Sequence, residues 1–496
     1  MGAPLARRAA ALAVVLAVIV PQSARADDAA LLEQVRELGE RVERLERQNR
    51  ELEKRLEAMQ STESRVNALE QAQAQTEKAL ATERLSEAEP ELVTRLKAIE
   101  FQTLNMQKQV REIDSLEGIT VSASLVGVGQ GVNGAGAASG ESESRLNYRG
   151  DVGVALPGGE MGDVEGKIFT HFRFGQGSGV SLRPTYTSTP NTTEFQAAAN
   201  PADAYAIVAE AWYQLAVPLP FGGFKPQSRE RLELTAGKID PFAFFDQNAV
   251  AGDEATQFLN NVFVHNPLLD SGGDVGVDQY GFSPGGRIAY TNEEDKASTW
   301  GASVGVTGSG NGADFTGSFS NPFVIAQLET TRRFAAGQPG TYRAYVWTNG
   351  QADNFNGTTG RHSGWGMSID QRVGDAAALF GRFGYEIQGQ GGVRFDRALT
   401  LGAQLGGAYW GRAADVAGFA VGFMHTSSAY ASATAADGAL AGYAASGNET
   451  DLELYYRWRL NSRVELSPDL QWIFRPGGNG SAPSAFAGGV RARVGF

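Results

Sequence analysis

The chain contains no cysteine, 18 prolines and four histidines (His171, His265, His362 and His425) in 496 residues. Without thiols there is no disulfide framework, no cysteine zinc site and no iron–sulfur cluster. The histidines stand in no motif that pairs a nucleophile with a base, so the sequence gives no support to an enzyme. After the first 25 residues no apolar run is long enough to cross a bilayer as a helix, which excludes a helical integral membrane protein. Positive charge is also short: 43 Lys and Arg against 56 Asp and Glu leave −13, the wrong sign for a nucleic-acid binder. The Gly-rich GSGNG at 308–312 lacks the strand-to-helix context of a nucleotide loop. No cofactor and no metal site are expected.

What is present falls into three polymers. Residues 1–26 carry only positive charge: Arg7 and Arg8, an apolar stretch from Ala9 to Val20, Pro21, and small residues at Ala24 and Ala26. That is the layout of a secretory signal cleaved after Ala26. Residues 27–117 repeat in heptads. Val35, Val42, Asn49 and Leu56 fall on one seam position, and Leu38, Leu45 and Leu52 on the other. This predicts an α-helical coiled-coil stalk, with Asn49 holding the register because a slipped partner would leave its amide unpaired. About 80 helical residues would reach about 120 Å. Pro90 starts a second helix with its own seam.

From residue 118 glycine and aromatics rise and the period drops to two. Leu452, Leu454, Tyr456 and Trp458 alternate with Asp451, Glu453, Tyr455, Arg457 and Arg459. Val464, Leu466, Leu470, Trp472 and Phe474 alternate with Glu465, Ser467, Asp469, Gln471 and Arg475. The apolar faces carry no charge, aromatics sit near strand ends, and strands run to about ten residues, the length that crosses a bilayer at a tilt. The chain ends on Phe496 in phase with the apolar face, the form of an assembly signal in a terminal strand. The fold class is therefore an all-β transmembrane barrel of the outer-membrane type, preceded by the coiled coil. At roughly 24 residues per strand and connection, residues 118–496 give about 16 antiparallel strands. One segment, 240–270, is too long for a turn and mixes Phe242, Phe244, Phe245 and Phe258 with Asp246, Asn248 and Gln257. A loop folded into the lumen would bury the first set and wet the second.

The runs GKIDPFAFFDQNAVAGDEATQFLN, WGRAADVAGFAVG (410–422), ETDLELYYRWRLNSRVELSPDLQWIFRPGG (449–478) and the terminal GVRARVGF together resemble the carbohydrate-selective porins of the OprB type. The resemblance implies a 16-stranded outer-membrane barrel that passes small hydrophilic solutes, sugars in particular. Together with the stalk, it also implies a homotrimer, although the Val/Leu seam alone allows a dimer. The stalk would sit in the periplasm, where contact with peptidoglycan would make the chain a tether; a non-selective channel is the other alternative.

Inward phase nominates the pore-lining residues. From the strands these are Lys167, His171, Arg173, Glu210, Trp212, Asp370, Arg372, Arg382, Glu386, Glu453, Arg457, Arg459, Glu465, Asp469, Gln471, Arg475, Arg491 and Arg493. From the inward loop they are Lys238, Asp246, Asn248 and Gln257. Charged groups would exchange hydrogen bonds with sugar hydroxyls while a flat ring covers the apolar sugar face.

Overall fold

A computed structural model describes residues 119–496 apart from 196–202, 220–227, 271–272, 296 and 335–336. The heptad segment and its seam residues (Val35, Leu38, Val42, Leu45, Asn49, Leu52 and Leu56) lie outside the described residues.

Sixteen antiparallel strands close into one barrel, each paired with its neighbours in sequence. In chain order they are β1 Thr120–Val132, β2 Glu143–Met161, β3 Val164–Gln176, β4 Tyr205–Leu219, β5 Glu230–Ile239, β6 Ser283–Asn292, β7 Trp300–Thr307 and β8 Phe323–Phe334. There follow β9 Gln338–Asp353, β10 Thr359–Arg372, β11 Ala377–Gln388, β12 Phe395–Gly406, β13 Val416–Thr426, β14 Glu449–Arg459, β15 Val464–Phe474 and β16 Ala485–Gly495. A strand in lipid must pair both edges, and closure provides this. β1 meets β16 from Ser124↔Gly495 to Val132↔Ala487. The Phe496 amide donates to the Ala123 carbonyl at 2.8 Å, so the last residue is stitched into the seam.

Alternation gives the wall two faces. Leu125, Val208, Ile288, Leu328, Val346, Phe419 and Leu454 are exposed on the outer one. Aromatic pairs on that face gather toward strand ends: Tyr290–Trp300, Phe334–Tyr342 and Trp410–Tyr456 at one rim, and Trp472–Phe486 toward the other. These are the interfacial girdles of a membrane barrel. The rim that holds the start of β1 and the end of β16 has short turns, such as 162–163 and 373–376. The opposite rim carries the long connections 177–204, 240–282, 308–322 and 427–448. Short turns mark the periplasmic side in barrels of this kind.

The 240–282 connection runs inside. Its buried residues Phe245, Phe258, Val262, Phe263 and Leu268 form one apolar cluster with Ile325, Tyr345, Phe380, Ala420 and Tyr455 of the wall. Leu259 packs separately on Val126 and Val128 of β1. A segment that touches β1, β8, β9, β11, β13 and β14 can reach them all only from within the ring. Each fully buried Phe is worth about 1.5–3 kcal/mol. A single helical turn, α1 (Asn261–Val264), is capped by Asn260, whose side chain accepts the Val262 amide.

Two wall glycines make room for it. A Cβ on Gly422 would lie 2.7 Å from Val262 Cγ1, and one on Gly305 would lie 2.6 Å from Phe245 Cε2. Both side chains belong to the packed cluster and have no free space to retreat into. Gly422→Leu should therefore leave the barrel folded, as judged by heat-modifiable migration, while proteases cut within 240–282 at least several-fold faster. Unchanged protection would show that the loop is not seated by this contact.

Candidate functional site

The inward loop is held by polar groups as much as by apolar ones. Asp246, at φ 54°, is fully buried. Its carboxylate accepts Tyr345 Oη at 2.7 Å, the Asn266 amide at 2.6 Å and Arg382 Nε at 3.1 Å. The Arg382 fork also donates to the carbonyls of Asp246 (3.1 Å) and Phe263 (2.7 Å), clamping two passes of the loop to β11. Asn248 donates to Ser368 Oγ and the Ile369 carbonyl on β10. On the far wall Glu453 accepts the Leu259 and Asn260 amides at 2.5 and 2.9 Å. Gln471 accepts Asn260 Nδ2 and donates to the Pro190 carbonyl and to Asp469. Arg491 donates to the carbonyls of Glu254 and Gln257, both at 2.8 Å. Arg149 bridges Glu254 at 2.8 Å. Burial opposes ionisation of Glu254, but the Arg149 charge prevails and holds its pKa below the usual carboxylate range.

A different set lines the wall away from these anchors, part buried and part accessible. On β2–β4 the ladder runs Arg149 Nε–Asp151 (2.9 Å), Asp151–Arg173 Nε (2.7 Å), Asp151–His171 Nε2 (2.9 Å), His171 Nδ1–Glu210 (3.3 Å) and Trp212 Nε1 to Glu210 (3.1 Å). Next to it three rings form a track: Phe169–Trp212 at 4.9 Å and Trp212–Phe244 at 5.9 Å. Cations flank the track, with Lys167 Nζ 5.5 Å from the Trp212 ring and the Arg287 guanidinium 5.0 Å from Phe244. Across β9 and β10, Arg343 pairs with Asp370 at 2.8 Å. A recess of about 380 Å³ lies against the loop, lined by Phe242, Gln247, His265 and Arg343 among others.

The nominated residues thus separate by exposure. Asp246, Arg382, Glu386, Glu453, Asp469, Gln471 and Arg491 show 1% or less of their surface, and Asn248 shows 7%. Lys167, His171, Arg173, Trp212 and Arg457 are half-buried or exposed, and the buried Glu210 and Asp370 border them. Arg457 donates to the Thr256 carbonyl of the loop. Arg372, Arg459, Glu465 and Arg493 gather at the short-turn rim, where Glu465 lies 3.8 and 3.6 Å from Arg459 and Arg493. Arg475 stands exposed at the opposite rim.

Three expectations are corrected. Lys238 lies on β5, not on the loop, and the twisted Gly237 (φ 147°) precedes it. Its ammonium reaches Asp278 at 3.1 Å. Gln257 spends its side chain within the loop, accepting the Gly252 and Asp253 amides and donating to the Ala249 carbonyl. The connection also extends beyond 270, to residue 282. Residues not nominated from sequence are Arg149, Asp151, Arg343, Arg287 and the rings of Phe169 and Phe244. Alternation in LNYRGDV and TYRAYVW carried the signal for the first three.

A closed sixteen-strand antiparallel barrel with an apolar outer face, a polar inner face and a loop inside is an outer-membrane porin. The profile of the carbohydrate-selective porin, OprB family, matches residues 185–496, and the chain belongs to that family. It is an outer-membrane channel with a preference for carbohydrates, a class of channels rather than enzymes. Among solved structures it is similar to Pseudomonas putida OprB at high pH (16% identity, 78% of this chain and 96% of that one, TM-score 0.60). The low-pH structure of the same protein gives 15%, 79%, 96% and 0.45. A mutant of Rh. blastica porin gives 12%, 76%, 100% and 0.44. No curated protein matches the chain.

Asp240 opens the loop and caps its first turn by accepting the Phe242 amide at 2.8 Å. Burial, reinforced by the Glu210 charge, pushes its pKa up to about 6 from 3.8. A carboxyl that binds its proton more tightly when folded favours folding at low pH. That contribution fades as pH rises from about 4 to about 6. Asp240→Asn keeps the cap and removes the charge. The variant should melt at or above the wild-type temperature at pH 8, and the difference should vanish below pH 4. A variant less stable than wild type at pH 8 would contradict this.

Proposed function

We propose that solutes pass beside the loop, along the inner wall of β3–β6, where Lys167, Phe169, Arg173, Trp212, Phe244 and Arg287 line the path. The observation that carries this reading is the contrast in exposure. Glu453, Gln471 and Arg491 on β14–β16 and Arg382 on β11 are spent on the loop, whereas Lys167, Phe169, Arg173, Trp212 and Arg287 on β3–β6 keep surface. The loop itself is the constriction. Passage is passive: each hydroxyl trades water for Arg173, Lys167 or Glu210, and the Trp212 ring covers the apolar sugar face. In this reading Asp246, Asn248, Arg382, Glu453, Gln471 and Arg491 act by fixing the loop rather than by touching solute.

Several features support a homotrimer. They are the heptad seam and the smooth outer face of β1, with Gly127, Gly129 and Gly131 beside an apolar groove of about 470 Å³ lined by Leu125, Tyr148, Phe174 and Phe496. That the first strand starts at the short-turn rim supports the reading of a periplasmic stalk. A tether role would rest on the stalk alone. Deleting 27–117 should leave flux intact and loosen the envelope only if the stalk grips the wall.

Liposome swelling tests the path. Trp212→Ala should lower the rate for hexoses relative to size-matched polar non-sugars about three- to tenfold while ion conductance changes less than twofold. An unchanged ratio would remove Trp212 and the ring track from the solute path.

A further inference from the structure

The return arm of the inward loop ends against a cluster that the channel reading does not use. Asp274 of the loop, His362 of β10 and Glu386 of β11 each offer one ligand atom within 4.8 Å of the other two. Their exposures are 1%, 0% and 0%.

Hydrogen bonds around the cluster fix what each atom presents. Thr358 donates its hydroxyl to Asn356 Oδ1 and so accepts from Asn354 Nδ2. That turns Asn354 Oδ1 toward His362 Nε2 at 2.9 Å, which must then carry the proton. Nδ1 of the same ring faces Asp274 Oδ1, 2.7 Å away, and in the neutral imidazole it would present a lone pair there. Trp347 Nε1 holds the other Asp274 oxygen at 2.7 Å. The Ser363 amide holds Glu386 Oε1 at 3.1 Å, while Glu386 Oε2 is buried with no hydrogen-bond partner. Three potential ligand atoms thus converge in a buried space.

The three ligand atoms can share protons among themselves or hold one cation. A divalent cation bound to neutral histidine and two carboxylates cancels the charge and uses all three electron pairs. One nitrogen and two oxygens suit zinc-class ions better than calcium, which prefers oxygen alone. Trp347, Asn354 and Ser363 supply the outer hydrogen bonds that orient such ligands. Around an ion at about 2.0–2.1 Å the ligands sit roughly 3.3 Å apart, so His362 and Asp274 need to separate by only about half an ångström.

We propose that Asp274, His362 and Glu386 form a binding site for a zinc-class divalent cation that locks the return arm of the loop to β10 and β11.

The test uses the full chain folded in detergent. It is stripped with a chelator, dialysed against zinc chloride and then against metal-free buffer, and its metal is counted by mass spectrometry. Wild type and the control His425→Gln should keep one zinc per chain. Glu386→Gln and His362→Gln should keep less than about a tenth of that. X-ray absorption on wild type should show only nitrogen and oxygen ligands at about 2.0–2.1 Å. Zinc should also slow proteolysis of 240–282 several-fold in wild type and not in Glu386→Gln. Folding of each variant is checked by heat-modifiable migration. The proposal is overturned if wild type retains no zinc, or if folded Glu386→Gln retains as much as wild type. Metal content is independent of solute flux, so this result and the swelling result can fail separately.

Discussion

A loop placed inside a barrel must leave no buried charge uncompensated. Arg382 and Asp246 show how this is met. Both are fully buried, they meet at 3.1 Å, and their other hydrogen bonds run to the loop backbone and to Tyr345. Removing either partner would strand the other charge in a medium that cannot solvate it, at a cost of about 3–5 kcal/mol. The course of the loop, the shape of the lumen and the identity of the free wall all depend on that clamp and on its counterpart at Glu453.

Glu453 works on a different principle. It accepts two consecutive backbone amides at Leu259 and Asn260, just where Asn260 caps the helical turn α1. Amides at the start of a turn have no partner within it, and here the wall supplies one. Apolar packing of Phe258 and Phe263 sets how deep the loop sits. The carboxylate sets where along the wall it sits.

The barrel was legible from period-two alternation. In β14–β16 the outer residues Leu454, Trp458, Leu470 and Val490 and the inner residues Glu453, Gln471 and Arg491 fell on the faces that their phase predicts. The inward loop was legible as well, because its phenylalanines needed cover and its amides needed water. What alternation could not tell was which inward groups meet solute. Phase places Glu453 and Lys167 alike on the inner face. Only the path of a segment about 200 residues away decides that the first is covered and the second is not. Local irregularity hid more. Gly237 turns the end of β5 so that Lys238 reaches Asp278, and the extra residue Ala209 in β4 shifts the pairing between His171 and Phe172. The cluster of Asp274, His362 and Glu386 has no linear spacing at all, since one loop and two strands bring it together.

The wall is divided between two tasks, and the division is spatial. β11 and β14–β16 carry buried groups that hold the loop backbone, while the rings and cations of β3–β6 meet the loop chiefly through side chains, at Phe244 and Asp278. On the proposed path, aperture and chemical preference are set by different arcs of one ring. A substitution at Lys167 would then alter what the passage favours and leave the clamps at Arg382 and Glu453 in place. A gene family diverging under such an arrangement can acquire new cargo by single steps, because each step leaves the barrel's hardest folding problem already solved.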